Sequence, residues 1–523
     1  METRFRRQAE VAAEGLTDSG AALRQAMALH RAGRAREADA QYALVLRAEP
    51  AHPQALRLRG ILARDTGDFD HSLRLLRKAV EATDSDPEPP AELGLSYLAA
   101  GYLQLAEAAF RKALARDPDS RKALANLGAL LQYRGHVQAA IDCYRRALAL
   151  EPDDLEVRCN LANTLVEAGR GDEALAECDT ALATAPLADG PGRPELLATR
   201  GAVLCGLERY ADAVPVLETA LAAGPDDMAL INLGLACQQL GRRPEALDAL
   251  VTAVRVNPDN ARAVADLTVL LSAEGRGEEA LARSADLLRR HPGERLVLAA
   301  QAVALRDAGR ADEARTLIDL QSLVHVGDLP LPRGYPDREA FNAALAAAVL
   351  TDASLLASPA GKSTRGGSQT GEFNPDEVPA LGALREALDS ELRAVIADWR
   401  ARGYASHPAM AWAAEDWTLR VWATVLGPGG VQLPHMHPLG WLSGVYYVQL
   451  PSGLPAEAGN AGALEFGQLP SRVIHTREPE RRIVAPVAGR LVVFPSYFYH
   501  RTLPFVSGEQ RISIAFDVMP MRD

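Results

Sequence analysis

Asn126-Leu-Gly-Ala-Leu-Leu-Gln-Tyr-Arg-Gly135, followed by Ala140, Tyr144, Ala147 and Pro152, sets out a helix, a glycine turn, a second helix and a proline stop. The unit recurs. Small residues followed by apolar ones stand at Ala38, Ser72, Ala106, Ala140, Ala174, Ala213, Ala246, Ala280 and Ala314, at intervals of 34, 34, 34, 34, 39, 33, 34 and 34. A glycine lies five residues before most of them (Gly33, Gly67, Gly101, Gly135, Gly169, Gly241, Gly275, Gly309), and a proline twelve after most, from Pro50 to Pro292. The glycine ends one helix, the small residue lets the next pack closely on it, and the proline stops that one. A lone helix pair cannot bury its apolar face, so such units stack.

The period and residue pattern resemble the tetratricopeptide repeat over roughly residues 18–322, as about nine units. The 39-residue interval holds Ala188-Asp-Gly-Pro-Gly192, a loop insertion in one connection. The resemblance implies a groove that takes a peptide or protein. Asn126, Asn160 and Asn232 fall at one first-helix position of three units. The simpler account makes asparagine part of the repeat pattern; the alternative is a set of groove-facing amides that bind an extended backbone.

Outward from the repeats, composition divides the chain. All five cysteines (Cys143, Cys159, Cys178, Cys205, Cys237) lie among the repeats without C-x-x-C spacing, which favours buried, reduced thiols over disulfides or zinc. All five tryptophans lie between Trp399 and Trp441, so a second object follows the first. The chain has 523 residues, room for about three domains of ~150 residues. Its 56 Lys and Arg face 68 Asp and Glu, a net charge of -12 that argues against nucleic acid as partner. Neither an apolar signal stretch at Met1–Arg7 nor a run of ~18 apolar residues occurs, so the expectation is a cytoplasmic protein without a membrane span.

After Ile318 the beat stops. Residues 323–336, with Leu329-Pro-Leu-Pro-Arg-Gly-Tyr-Pro336, read as a linker, and 337–523 as a separate domain. Helical patterns run from Arg338 to Leu350 and from about Pro379 to Arg402, separated by a glycine- and serine-rich loop, Ser358 to Thr370. Within that loop Gly361-Lys362-Ser363 lacks the leading glycine of a phosphate loop, since Leu356 stands there, and no strand precedes it. Trp417–Leu426, Gly444–Leu450, Ala463–Phe466, Arg482–Val484, Arg490–Phe494 and Arg511–Val518 read as short strands, with Gly427-Pro-Gly-Gly430 as a turn. The fold expected is therefore multidomain: an all-α solenoid, then a β-sandwich or small barrel with flanking helices.

Three histidines stand out in the strands: His435 and His437 in Leu433-Pro-His-Met-His-Pro438, and His500. Residues i and i+2 of an extended segment point the same way, so the first two can reach one metal, and a distant strand can supply a third ligand. Imidazole suits Fe, Zn, Cu or Ni; a structural zinc site or a satisfied core is the bland alternative. Eleven residues past His500 comes Arg511-Ile-Ser513, a cation and a hydroxyl on one strand face, suited to gripping a carboxylate.

The ordered set His435-Met-His437, Ser443-Gly-Val-Tyr-Tyr-Val448, Gly462-Ala-Leu-Glu-Phe466, Gly489-Arg-Leu-Val-Val-Phe494, His500 and Arg511 resembles the Fe(II)/2-oxoglutarate-dependent dioxygenase superfamily, whose fold is a double-stranded β-helix or jelly roll. It looks closest to a bacterial and phage branch in which H-x-H-P precedes S-G-V-Y-Y. The resemblance implies Fe(II), with 2-oxoglutarate and O2 as cosubstrates, and hydroxylation of a substrate, for which a peptide or protein is the first choice. It makes His435 and His500 iron ligands, Arg511 the partner of the far carboxylate of 2-oxoglutarate, and Ser513 and Tyr447 its assistants. No catalytic residue beyond the metal centre is implied. His437 departs from the superfamily, which mostly has a carboxylate there; it is preferred as third ligand over Glu465 on the adjacent strand. Trp441 and the 363–370 segment are candidates to line the substrate approach. Two other readings stay open: an interaction scaffold with an inactive oxygenase fold, and a three-histidine metal dioxygenase that does not use 2-oxoglutarate.

Overall fold

Left-handed backbone closes the repeat turns, as their glycines anticipate: φ is 71° at Gly33, 83° at Gly67, 80° at Gly135 and 75° at Gly241. An L side chain costs roughly 1–2 kcal/mol in that region. Where the glycine is missing, Glu208 adopts φ 59°, so the turn keeps its shape against the residue's own preference. A computed structural model describes residues 19–183, 192–357, 362–452 and 460–521. Ala188–Pro191 of the expected insertion and Ser358–Gly361 of the loop lie outside the described residues.

Nine helix pairs occur among the described residues, from 19–31 with Ala35–Ala48 to Arg295–Asp307 with Ala311–Leu317. All nine small residues of the repeat, from Ala38 and Ser72 to Ala314, are 0 % exposed. A second close approach sits in the first helix: a Cβ at Gly94 would meet the Phe110 ring at 2.5 Å, and one at Gly128 the Tyr144 ring at 2.7 Å. The five cysteines are free and buried. Burial pushes the Cys178 thiol up to about 12 and that of Cys205 to about 11, so both behave as small hydrophobes. None of the described helices is long and apolar enough to cross a membrane.

The chain divides into two compact units. One consists of Ala139–Val157 and the chain up to Tyr133; the other of Arg134–Gln138 and Arg158–Asp523. The second unit contains the later helix pairs and a ten-stranded antiparallel sheet that folds back on itself as a jelly roll. Its strands are β1 (His325–Asp328), β2 (Leu356–Ala357), β3 (Thr364–Gln369), β4 (Trp417–His435), β5 (Leu442–Gln449), β6 (Leu464–Phe466), β7 (Arg482–Val484), β8 (Arg490–Pro495), β9 (His500–Thr502) and β10 (Arg511–Pro520). Pairing runs β1-β8-β5-β10-β4-β9-β6-β7, with β3 joining β2 to β4.

Three sequence expectations change here. Gly427-Pro-Gly-Gly430 does not end a strand: β4 continues through it as a bulge, because β3 jumps from partner Leu426 at Gly367 to partner Val431 at Arg365. The stretch read as a loop holds β3, preceded by the two-residue β2; Gly366 and Gly367 there let β3 lie close against the backbone of β4, where a Cβ at Gly367 would strike the Val425 carbonyl at 2.5 Å. Within 323–336, His325–Asp328 is a strand that pairs with Arg490–Val493.

The two flanking helices, Arg338–Leu350 and Pro379–Ala401, cover one face of the sheet. Asp337 caps the first by accepting the Ala340 N–H, and proline opens the second. Leu381, Leu384, Leu388, Leu392, Val395, Ile396 and Trp399 recur at helical spacing and are 4 % exposed or less. Each contributes about 1.5–3 kcal/mol of burial. They join a core that holds Tyr446 and Ile514 of the sheet and also Leu298 and Ala299 of the last long repeat helix.

Candidate metal centre

β4 and β9 lie side by side so that His435 faces His500 across the ladder. His437 follows just past the end of β4, its backbone N–H donating to the Ser496 carbonyl at 2.9 Å. The three imidazoles converge: ring centroids are 4.3 Å apart for His435 and His500, 5.2 Å for His435 and His437, and 5.1 Å for His437 and His500. One nitrogen from each lies within 4.8 Å of the others.

The outer nitrogens settle which ones face inward. His435 Nδ1 lies 2.8 Å from the Leu433 carbonyl, His500 Nδ1 2.9 Å from the Phe498 carbonyl, and His437 Nδ1 2.6 Å from Oδ1 of Asp517. These oxygens only accept, so each Nδ1 carries a proton and each Nε2 is the nitrogen left to face a metal. Burial, then the neighbouring His437, pushes His435 down to about 3; burial, then His435 and His437, holds His500 well below its usual value. Both are neutral at pH 7 and able to bind a metal. Phe494 packs edge-on to His500 at 4.7 Å and Trp422 lies 5.4 Å from His437, so the cluster has an aromatic wall.

Asp517 is the residue that the sequence reading missed. It lies on β10, 6 % exposed, and accepts from the hydroxyl of Ser443 at 2.6 Å as well as from His437. Burial alone would raise its pKa, but the His437 ring and the Ser443 hydroxyl hold it below the ordinary aspartate value. Its signal was present: in Arg511-Ile-Ser-Ile-Ala-Phe-Asp517 the polar residues alternate with apolar ones, so Arg511, Ser513 and Asp517 share one face.

At the other end of β10, Arg511 is 1 % exposed. Its guanidinium carbon sits 5.0 Å from the Tyr447 ring centre, and its Nε and Nη1, with the Tyr447 hydroxyl, have no hydrogen-bond partner. Burial draws the Arg511 pKa down and pushes that of Tyr447 up. Ser513 pairs with Tyr447 on one side and Thr424 on the other, and is 2 % exposed. A buried cation without an anion costs several kcal/mol, and the orphaned donors suit a carboxylate. Three inward lone pairs likewise suit a divalent first-row metal. The residues present fit Fe(II) and 2-oxoglutarate.

Other candidates lie elsewhere. Glu465 pairs with Arg501 and, at 3.5 Å, with Arg481; its neighbour Phe466 is the one opposite His500, so alternation turns Glu465 away from the cluster. Trp441 is 3 % exposed, donates to the Ala409 carbonyl at 2.6 Å and packs on Trp417; it is a core residue, not a lining of an approach. Ser363, just before β3, does reach the site, its hydroxyl 3.4 Å from His435 Nε2. Asn126 belongs to the first unit and Asn160 and Asn232 to the second, each half-buried on the first helix of its pair.

Fold and cluster together define a class: a helical-repeat protein with a jelly roll that carries a three-histidine cluster able to hold a metal. Comparison with known proteins specifies it further. The family "Putative 2OG-Fe(II) oxygenase" matches residues 420–517, and tetratricopeptide repeat families match 23–87, 91–120, 131–191, 200–261 and 296–319. The chain carries tetratricopeptide repeats in its N-terminal part and a 2OG-Fe(II) oxygenase domain near its C-terminus. Similar solved structures include a tetratricopeptide repeat protein from Parabacteroides merdae (16 % identity, 46 % of this chain and 94 % of that one, TM-score 0.40). MamA (22 %, 32 % and 90 %, TM-score 0.29) and YrrB, described as a TPR protein with an unusual peptide-binding site (21 %, 36 % and 95 %, TM-score 0.31), are others. No curated protein matches.

Proposed function

We propose that the protein is an Fe(II)- and 2-oxoglutarate-dependent dioxygenase that hydroxylates a peptide or protein recruited by its repeats, in the cytoplasm. The observation that carries this reading is the buried Arg511, whose Nε and Nη1 have no hydrogen-bond partner, on the strand whose other end orients His437. When bound, iron would supply a coupled oxidation in which 2-oxoglutarate, O2 and a substrate C–H become succinate, CO2 and C–OH.

The chain's part is to hold and to exclude. His435, His437 and His500 offer three Nε2 atoms to iron. Arg511 donates to the far carboxylate of 2-oxoglutarate, with the hydroxyls of Tyr447 and Ser513 beside it. Phe494 and Trp422 keep water from the rings they cover. Asn160 and Asn232, half-buried in the later repeats, are the groove residues offered to an extended chain.

The test is anaerobic. Adding 2-oxoglutarate to the Fe(II)-loaded protein is expected to produce a charge-transfer band in the visible, and admitting air to produce succinate. Absence of both from iron-loaded protein overturns the reading. His437, standing where a carboxylate is expected, favours one second reading: a three-histidine dioxygenase in which Arg511 holds a carboxylate of the substrate itself. In that case O2 is consumed with a carboxylate substrate and no succinate forms. An inactive scaffold would consume none.

A further inference from the structure

Three histidines surround one point, but their outer hydrogen bonds differ in kind. His435 and His500 donate to neutral backbone carbonyls, of Leu433 and Phe498. His437 alone donates to a carboxylate, at the shortest of the three distances, 2.6 Å. His437 also occupies the position where the superfamily resemblance leads one to expect an acidic ligand. The missing negative charge therefore reappears one residue further out.

Its placement is built. Asp517 stands between Arg420 of β4 and Ser443 of β5 in the ladder, and the Ser443 hydroxyl donates to the same Oδ1 that His437 uses. The loop that follows His437 leaves room for it: a Cβ at Gly440 would come within 3.0 Å of the Asp517 Cβ and Cγ. Two neutral imidazoles and a carboxylate leave Fe(II) with a net charge of about +1, whereas three neutral imidazoles leave +2. A carboxylate on Nδ1 raises the basicity of Nε2 and returns part of that charge to the metal.

We propose that Asp517 is a positioning residue that supplies, through His437, the anionic character which a directly bound carboxylate gives related iron sites. This rests on reading the histidine cluster as the iron site. The His437–Asp517 pair acts as one ligand, with Ser443 fixing the carboxylate and Gly440 making space for it.

The test measures metal affinity with Co(II), in the absence of 2-oxoglutarate, by its visible absorption. Asp517→Asn keeps the size and an acceptor oxygen but removes the charge. It is expected to weaken Co(II) binding by ~10–100-fold and shift the Co(II) spectrum, with little change in thermal midpoint. His437→Asp alone sets two carboxylates against each other, whereas His437→Asp with Asp517→Asn returns one charge to the site. The double variant is therefore expected to bind Co(II) more tightly than either single variant. Wild-type affinity and spectrum in Asp517→Asn, or a double variant no better than the singles, overturns the proposal. Because 2-oxoglutarate is absent, failure of cosubstrate turnover leaves this result standing. A wild-type protein that binds no Co(II) overturns both.

Discussion

The helix pairs and the jelly roll reach full burial by opposite routes. In the repeats every essential contact is local: Gly128 meets Tyr144 sixteen residues on, and the same approach recurs at Gly94 and Phe110. In the sheet the contacts that matter join distant segments: His435 to His500, His437 to Asp517, Tyr447 to Arg511. Local contacts repeated along a chain make each unit replaceable, and stability spreads over many equivalent neighbours. Long-range contacts made once leave no substitute. Damage to the first region should therefore be graded, and damage to the second complete for chemistry and small for folding.

The sharpest way to break that contrast is His500→Ala. It is expected to abolish metal binding, and with it the 2-oxoglutarate charge-transfer band, while the helical circular dichroism of the repeats stays unchanged. Retained metal in that variant would deny the cluster its role. Next in size is Arg511→Met, expected to weaken 2-oxoglutarate binding by ~100-fold, the order of one strong charge-assisted pair. Metal content should stay near wild type. Because the unpaired buried cation is gone, the ligand-free variant should also be more stable by about 1–3 kcal/mol, visible as a higher thermal midpoint. Equal loss of metal in the two variants would merge roles that His500 of β9 and Arg511 of β10 keep apart.

On the other side of the comparison, Gly128→Ala drives a methyl group into the Tyr144 ring and should cost about 1–3 kcal/mol. Denaturant unfolding followed by circular dichroism checks it; metal and 2-oxoglutarate titrations should not move. The smallest effect belongs to Glu208→Gly. It relieves the left-handed strain but frees the unfolded chain, so a net gain of only a few tenths of a kcal/mol is expected from the same denaturant curves. A loss would mean that the Glu208 side chain contributes more than its backbone costs.

The same contrast explains what could be read beforehand. The repeat announces itself because its glycine, small residue and proline sit within one 34-residue period. The helix Arg338–Leu350 was legible to the residue, its cap and apolar spacing being local. The first part of β4 showed through alternation and bulky residues, and β5, β6, β7, β8 and β10 as short runs between Gly, Pro or Ser, whereas β1 and β9 are short and lack such an apolar run, and β3 is rich in glycine and serine. Short or glycine-rich segments gain their strand character from a neighbour that local pattern does not contain. His435 and His437 were visible by their spacing. Alternation sets Asp517 on the face of Arg511 and Ser513, but its partner was not visible, since nothing near it in sequence says that His437 lies 80 residues back and a hydrogen bond away.

The core shared by the last long repeat helix and the sheet bears on how the protein can be divided. Leu298 and Ala299, on the helix Arg295–Asp307, sit in the same core as Phe341, Tyr446 and Phe494. On that helix Arg295 also donates to the carbonyl of Pro438 at 2.7 Å, one residue past His437. Cutting the chain where the repeat rhythm stops would strip a wall from that core and a clamp from the ligand loop. The oxygenase sheet is thus inherited together with its adjoining repeats: the smallest piece that can be moved intact to another protein begins well upstream of the segment in which the chemistry is written.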